Sequence, residues 1–322
     1  MKAILNSISF ACGLLCLSTV SGAADHPSVI RVVENAEGFL FTQGKAKILF
    51  YQRKPKSHHG KFQRANYIHP LYDLEGNVLT EDFPSDHRHH RGIFWAWHQV
   101  WVGEKKIGDP WTTKDFVWDV KAAKVDRTDP GSAVLKIKVE WKSPKFTDAN
   151  GREKSIVSET TEIRVHQAAQ NVRLIDFTIS LLALQPEVRL GGSEDAKGYG
   201  GFSARFRLPP DVRFTSPKGP VVPQRLSVDA SPWMDFTGTF GETDQLSGIA
   251  ILCHPSLRGF PPRWILRQSR SMQNPLYPGR EPVALSRKAP LVFRYRLVMH
   301  RGIATKTTIE KWHAQYAAMP RD

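Results

Sequence analysis

Four of the twelve histidines of this 322-residue chain fall between Asp82 and Trp101. They are His87, His89, His90 and His98, accompanied by Asp82, Asp86 and the indoles of Trp95, Trp97 and Trp101. Imidazole transfers protons near neutral pH and ligates Zn, Cu, Fe or Ni, while indole faces accept flat ligands and sugar rings. If the Asp86–His90 run is extended, His87 and His89 project to one side and His90 to the other. Two chemistries follow. The histidines can carry protons with Asp86 as partner, or His87 and His89 can chelate a divalent metal whose third ligand is His69, Asp82, Asp86 or His254. The spacing matches no zinc-finger, metalloprotease or cupin pattern. The structural alternative is a rigid turn after Pro84 whose imidazoles only hydrogen-bond carbonyls.

A second constellation is Gly191-Gly192-Ser193-Glu194-Asp195-Ala196-Lys197-Gly198-Tyr199-Gly200-Gly201-Phe202. Glycines let backbone approach a ligand closely, so Glu194 and Asp195 are candidate acid–base groups and Lys197 and Tyr199 candidate substrate contacts. A bulged turn explains the same residues. A third begins with the apolar run Gly248–Cys253, ends in His254, and continues to Arg267 and Asn274, delivering polar side chains to a sheet rim. His254, Arg267, Asn274 and His69 therefore join the substrate-contact candidates, with Trp97 as a stacking face. Cys253 reads as a buried core thiol. No nucleophile elbow, P-loop or dinucleotide fingerprint is present, which argues against a nucleotide cofactor.

These side chains need a scaffold, and period-two alternation supplies it. Leu135, Ile137, Val139 and Trp141 point one way, and Lys136, Lys138, Glu140 and Lys142 the other. The pattern recurs over Val157–Val165, at Ile175, Phe177, Ile179 and Leu181, and at Phe293, Tyr295, Leu297 and Met299. Strands joined by Gly/Pro/Asn turns, without βαβ alternation or a blade-length repeat, predict an all-β chain built as a large antiparallel β-sandwich. One helix is expected at about 306–318, opened by a Thr307/Glu310 capping box, with Ile309, Trp312 and Tyr316 as its apolar stripe.

Residues 1–24 read as a signal peptide, with Lys2, an apolar core and Ser21-Gly22-Ala23-Ala24 before Asp25. Residues 25–322 then form one β-sandwich domain, periplasmic or secreted. The formal charge of +14 becomes +13 once Lys2 is removed. With its lysines and arginines scattered along alternating strands, the chain fits a solvated surface or acidic glycans better than nucleic acid. No later apolar run is long enough to span a membrane.

The runs Tyr67-Ile68-His69-Pro70-Leu71-Tyr72, Thr80–Pro84, Asp86-His87-Arg88-His89-His90-Arg91-Gly92-Ile93-Phe94-Trp95-Ala96-Trp97, Gly198-Tyr199-Gly200-Gly201 and Gly248–Ile251 resemble the bacterial PmoA-like domain family of unknown function. The resemblance covers most of the mature chain. It implies a secreted β-rich protein in a polysaccharide-degrading context. The architecture is also similar to the galactose-mutarotase type of supersandwich, and His69-Pro70 resembles the His-Pro of aldose epimerases. The expectation is a carbohydrate-active enzyme of hydrolase, lyase or epimerase type. Its acid–base groups would be His87, His89 and His90 with Asp86, Glu194 or Asp195. The alternative is a non-catalytic carbohydrate-binding protein.

Overall fold

A computed structural model describes residues 29–126 and 131–320; the expected signal peptide lies outside the described residues. Two antiparallel sheets face each other. The smaller has six strands in the order Ile30–Glu34, Gly38–Gln43, Ala46–Gln52, Tyr67–Leu71, Ile93–Ala96 and Gly201–Ala204. The larger has nine, with Ser132–Lys142, Val157–His166, Val172–Ala183, Leu291–Arg301 and Ser247–Cys253 adjacent at its centre. A four-stranded sheet built on Gln99–Val102 and Val188–Gly191 extends one flank. The all-β antiparallel sandwich expected from the alternation is the observed fold.

Register explains why the alternating strands meet as they do. Leu135 lies opposite Ile163, Ile163 opposite Phe177, Phe177 opposite Tyr295, and Tyr295 opposite Cys253. This row of inward side chains crosses five strands, so a one-residue slip in any strand would turn its apolar set toward water. Across the gap, Trp95 and Phe202 of the smaller sheet meet Phe177, and Phe202 stacks on Tyr295 with centroids 4.4 Å apart.

One buried carboxylate ties the two sheets together. Glu159, on the larger sheet, accepts hydrogen bonds from Asn66 Nδ2 (2.8 Å), Trp95 Nε1 (2.9 Å), Trp141 Nε1 (2.8 Å) and Thr161 Oγ1 (2.8 Å). Asn66 in turn accepts from the Tyr51 hydroxyl. Burial pushes the Glu159 carboxyl upward, opposed by these donors. Four donors and no acceptor around two oxygens suit the ionised form.

The C-terminal helix spans Lys306–Ala317, close to expectation, but its cap differs. Thr305 is the N-cap, and its hydroxyl accepts from the Thr308 amide; Glu310 instead faces Lys306 one turn away. Ile309 and Tyr316 pack on Ala250, Leu252 and Val298, outward residues of the larger sheet's central strands, and on Trp233 of the next strand, Trp233–Gly238. Being buried on both faces, these strands read as continuous apolar runs rather than clean alternation. No helix of the described residues is long and apolar enough to cross a membrane.

Replacing Glu159 with alanine would leave buried indole, amide and hydroxyl donors without an acceptor, a cost of about 4 kcal/mol or more. The melting temperature of Glu159→Ala should therefore fall by on the order of 10 °C. A calorimetric scan in which the variant melts with the wild type would remove Glu159 from this role.

Candidate functional site

Two neighbouring antiparallel strands carry the candidate site. Ile93–Ala96 pairs with Gly201–Ala204, Ile93 facing Ala204 and Ala96 facing Gly201. The histidine turn precedes the first strand and His98 follows it; on the second, Tyr199 lies at the His98 end and Arg205 at the histidine-turn end. Ile93 and Trp95 point into the shared core, while Phe94 and Ala96 join Tyr67, Trp111, Ile265 and Met272 in a separate apolar cluster. The site rests on that second cluster, on the sheet face opposite the core.

The segment holding His87, His89 and His90 is not extended. It coils through two turns, with the His87 amide bonded to Pro84 O and the His90 amide to His87 O. All three rings are thereby brought together instead of alternating. His87 stacks on His90 (4.7 Å, 5°), and His89 meets His90 edge-on at 4.6 Å. His90 also lies edge-on to Trp111 at 5.9 Å; Trp111 stacks with His98 at 5.3 Å, and His98 meets the Tyr199 ring at 5.0 Å. A continuous run of rings thus joins His87 to Tyr199.

Two carboxylate–imidazole dyads lie along this run, one at His87 and one at His98. Asp86 Oδ2 lies 2.8 Å from His87 Nδ1, and Asp109 Oδ2 lies 3.0 Å from His98 Nδ1. A carboxylate on Nδ1 fixes the Nδ1–H tautomer and leaves Nε2 as the basic atom. His98 Nε2 is buried and has no hydrogen-bond partner among the described residues, whereas the His87 side chain is 43% exposed. Both carboxylates are themselves held. Asp86 accepts two bonds from Arg205 (3.1 and 2.8 Å), whose Nε reaches Glu81 at 2.6 Å. Asp109 Oδ1 accepts from the Thr112 amide at 3.0 Å. Burial pushes both aspartates up, but the His87 ring and Arg205 for Asp86, and the His98 ring and Thr112 for Asp109, outweigh it and leave both below the usual carboxylate range.

The histidines between the dyads are neutral. Burial, then the charges of Arg64, His87 and His98, take His89 down to about 4. His90 is pushed well down in the same direction by burial, its two histidine neighbours and two arginines. Arg64 is a fixed buried cation beneath them, lying over the Trp118 and Phe94 rings and donating to Pro110 O and Trp111 O. Among the described residues no three His, Cys, Asp or Glu side chains converge as a metal site. The surroundings of His87 and His89 do not fit the tentative chelating pair either: Asp86 is committed to Arg205, and Arg64 acts on His89 with its positive charge.

Of the other expected residues, Tyr199 reaches the ring run, and Lys197 lies 5.8 Å from the Tyr199 ring. Arg267 borders it electrostatically, its guanidinium held by the carbonyls of Gln224, Arg225 and Leu266. The rest are placed elsewhere. Trp97 is 1% exposed in the core, packed on Trp141 and Phe293 and donating to Tyr277 O, so it offers no stacking face. The Glu194 side chain is 61% exposed and paired with Lys106. Asp195 closes its own loop by accepting from Ser193 Oγ and the Lys197 amide.

Asn274 is fully buried and clasps Gly200 O, Phe202 O and the Gly200 amide. The glycines here serve backbone packing rather than a ligand, because a Cβ on Gly192 would stand 2.1 Å from Gly198 O. His254 bonds Ser256 and meets Tyr316 beneath the helix, on the outer face of the larger sheet. His69 bonds Thr80 Oγ1 at 3.0 Å. The sequence reading passed over Asp109, the base character of His98 and the clustering role of Arg205. Gly108-Asp109-Pro110-Trp111, a turn carrying a carboxylate beside an indole, was the available signal.

A family model described as "Family of unknown function (DUF6807)" matches residues 40–314. Among curated proteins no sequence matches the chain. Solved structures similar to it include a protein assigned as a mutarotase from Salmonella typhimurium, at 10% identity, covering 85% of this chain and 94% of that one with a TM-score of 0.35. Galactose 1-epimerase from Lactobacillus acidophilus NCFM is similar at 9% identity, covering 85% and 98% with a TM-score of 0.40.

The neutral histidines link stability to pH with a definite sign. Burial takes His69 as well as His89 down to about 4. Their stabilisation is complete above the unfolded imidazole value of about 6.5 and is lost as pH falls from there toward 4, since only the unfolded chain takes up the protons. Between pH 7 and pH 5 the loss should amount to roughly 2–4 kcal/mol after allowing for partial exposure. Melting temperatures at the two pH values should show the drop, and His89→Asn should shrink it, with His69 and His90 supplying the remainder; an equal drop in the variant would contradict the assignment.

Proposed function

The chain belongs to the DUF6807 family, and we propose that this member is a carbohydrate-active enzyme that moves protons on a sugar, by epimerisation or β-elimination. The two carboxylate–imidazole dyads, Asp86–His87 and Asp109–His98, carry this reading. Each fixes an imidazole Nε2 as base and, once protonated, as acid stabilised by its own aspartate, open to solvent at His87 and buried without a partner among the described residues at His98. His87 meets the His89 and His90 rings at 5.7 and 4.7 Å, and His98 reaches His90 through Trp111, so both border one neutral floor. Removal of a ring C–H proton by one imidazole, with departure of a leaving group that the second imidazole protonates, gives elimination; epimerisation instead requires a solvent-derived proton to reach the opposite face of the carbon that one imidazole has deprotonated.

Hydrolysis by paired carboxyls is less well supported. That route needs one carboxyl kept protonated to deliver a proton to the glycosidic oxygen. Here both site aspartates are held below the usual carboxylate range by imidazole and either guanidinium or amide donors. A stacking-only binding protein is also poorly supported, because Trp97 and Trp111 are each 1% exposed and present no open indole face.

The test is proton NMR of neutral sugars, uronic acids and their oligosaccharides in deuterated buffer with the purified protein. Solvent deuterium should enter a sugar C–H, or an unsaturated product should form. His98→Gln and Asp109→Asn should each slow the reaction by on the order of 100-fold or more while leaving the fold intact by circular dichroism. Turnover that survives both substitutions would refute the dyad mechanism, and binding without any turnover would make the protein a carbohydrate receptor.

A further inference from the structure

Two clefts flank the ring run, and both are basic. The first, about 480 Å³, lies beside the Asp86–His87 dyad and is lined by Glu81, Asp86, Arg205, Arg207 and Arg270 among others. The second, about 350 Å³, lies beside Tyr199 and includes Lys197, Arg225 and Arg267. Three guanidiniums face two carboxylates in the first, and those two carboxylates are already consumed by Arg205. Arg207 and Arg270 make no ion pair with any described residue. In the second cleft, three cations line the wall with no carboxylate among the lining residues. Arg267 spends its hydrogen bonds on neutral carbonyls, and the one carboxylate among the described residues that acts on this wall is Asp195, which pairs with Lys197 at 3.3 Å, so three cations face a single acid.

The clefts are joined by one loop. Leu266, Arg267 and Gln268 line the second, and Ser269 and Arg270 the first. Five consecutive residues span at most about 14 Å between their first and last Cα atoms, so both basic walls lie within the reach of a few linked sugar rings. Arg270 is held at φ 54°, a left-handed conformation that is unfavourable for a non-glycine residue. Scattered surface lysines would attract polyanions anywhere on a chain of charge +14. Unpaired arginines set on either side of a proton-transfer floor do something narrower, since guanidinium forks match carboxylate and sulfate oxygens in pairs.

We propose that the site takes an anionic oligosaccharide: acid groups of flanking rings bind Arg207 and Arg270 on one side and Arg225 with Lys197 and Arg267 on the other, while the ring between them lies over the imidazoles. This rests on the proton-transfer reading for the site's location, and names its substrate class. Uronate carboxylates and sulfate esters share the required chemistry, and the titration separates them.

The experiment is isothermal titration calorimetry of the wild-type protein with oligogalacturonate, with a sulfated galactan oligosaccharide and with a neutral cello-oligosaccharide of equal length. One or both anionic ligands should bind, and the neutral one should not. Arg207→Ala/Arg270→Ala and, separately, Arg225→Ala should each weaken binding about tenfold or more. The control Lys136→Ala/Lys138→Ala removes two cations from the outer face of the larger sheet and should bind as the wild type does. Equal binding of the neutral ligand, unchanged affinity in the cleft variants, or an equal loss in the control would each overturn the proposal. Anionic ligands that bind in the clefts but are never turned over would leave it standing and sink the enzymatic reading instead. Neutral sugars turned over as fast as charged ones would do the reverse.

Discussion

Glu159 is the constraint on which the rest of the molecule depends. A carboxylate sealed between two sheets would be costly on its own, and it becomes tolerable only when every lone pair is met by a donor. Those donors come from both sides: Trp95 on the smaller sheet and Asn66 just before its strand Tyr67–Leu71, Trp141 and Thr161 on the larger. Apolar contacts such as Phe202 on Tyr295 would tolerate small sliding. A four-donor carboxylate does not, so it fixes how the sheets are offset. Trp95 lies in the middle of the strand that carries the histidine turn at one end and His98 at the other. The core therefore sets the placement of the face where chemistry is proposed.

On that face the same logic is repeated with charge. Arg205 bridges Glu81 and Asp86, and Asp86 orients His87; Arg64 lies under the floor and holds Trp111 through its carbonyl. Burial, aided by the Arg64 cation beneath, keeps His89 and His90 unprotonated, and carboxylates on Nδ1 choose the tautomer of His87 and His98. The result is a patch in which two imidazoles of fixed tautomer border a buried, neutral pair.

The sandwich was legible because burial imposes a period of two on Leu135–Trp141 and its sister strands, and nothing else produces that pattern over so many residues. The histidine turn was legible as a site but not in its shape. Extended geometry separates His90 from its neighbours, whereas turns at Pro84 and His87 fold all three rings together. Asp109 was not legible, since a carboxylate 11 residues from His98 becomes its partner only when the hairpin through Gln99–Val102 and Lys105–Gly108 brings it back. Trp97, Asn274 and Glu194 illustrate the opposite error. Residue types suited to ligands are equally suited to filling a core, clasping a glycine strand or pairing with a surface lysine, and only packing decides between them.

The strand Gly201–Ala204 works as a ruler. Tyr199 precedes it and Arg205 follows it, and extended backbone puts at most about 20 Å between these two ends of the site. Side chains alternate along a strand, so an insertion of one residue would turn Tyr199 or Arg205 to the wrong face. Length can change only by residue pairs, in steps of about 7 Å. Among relatives that keep these two strands, the distance between the dyads should therefore be quantised, and with it the size of the molecule that can lie across them.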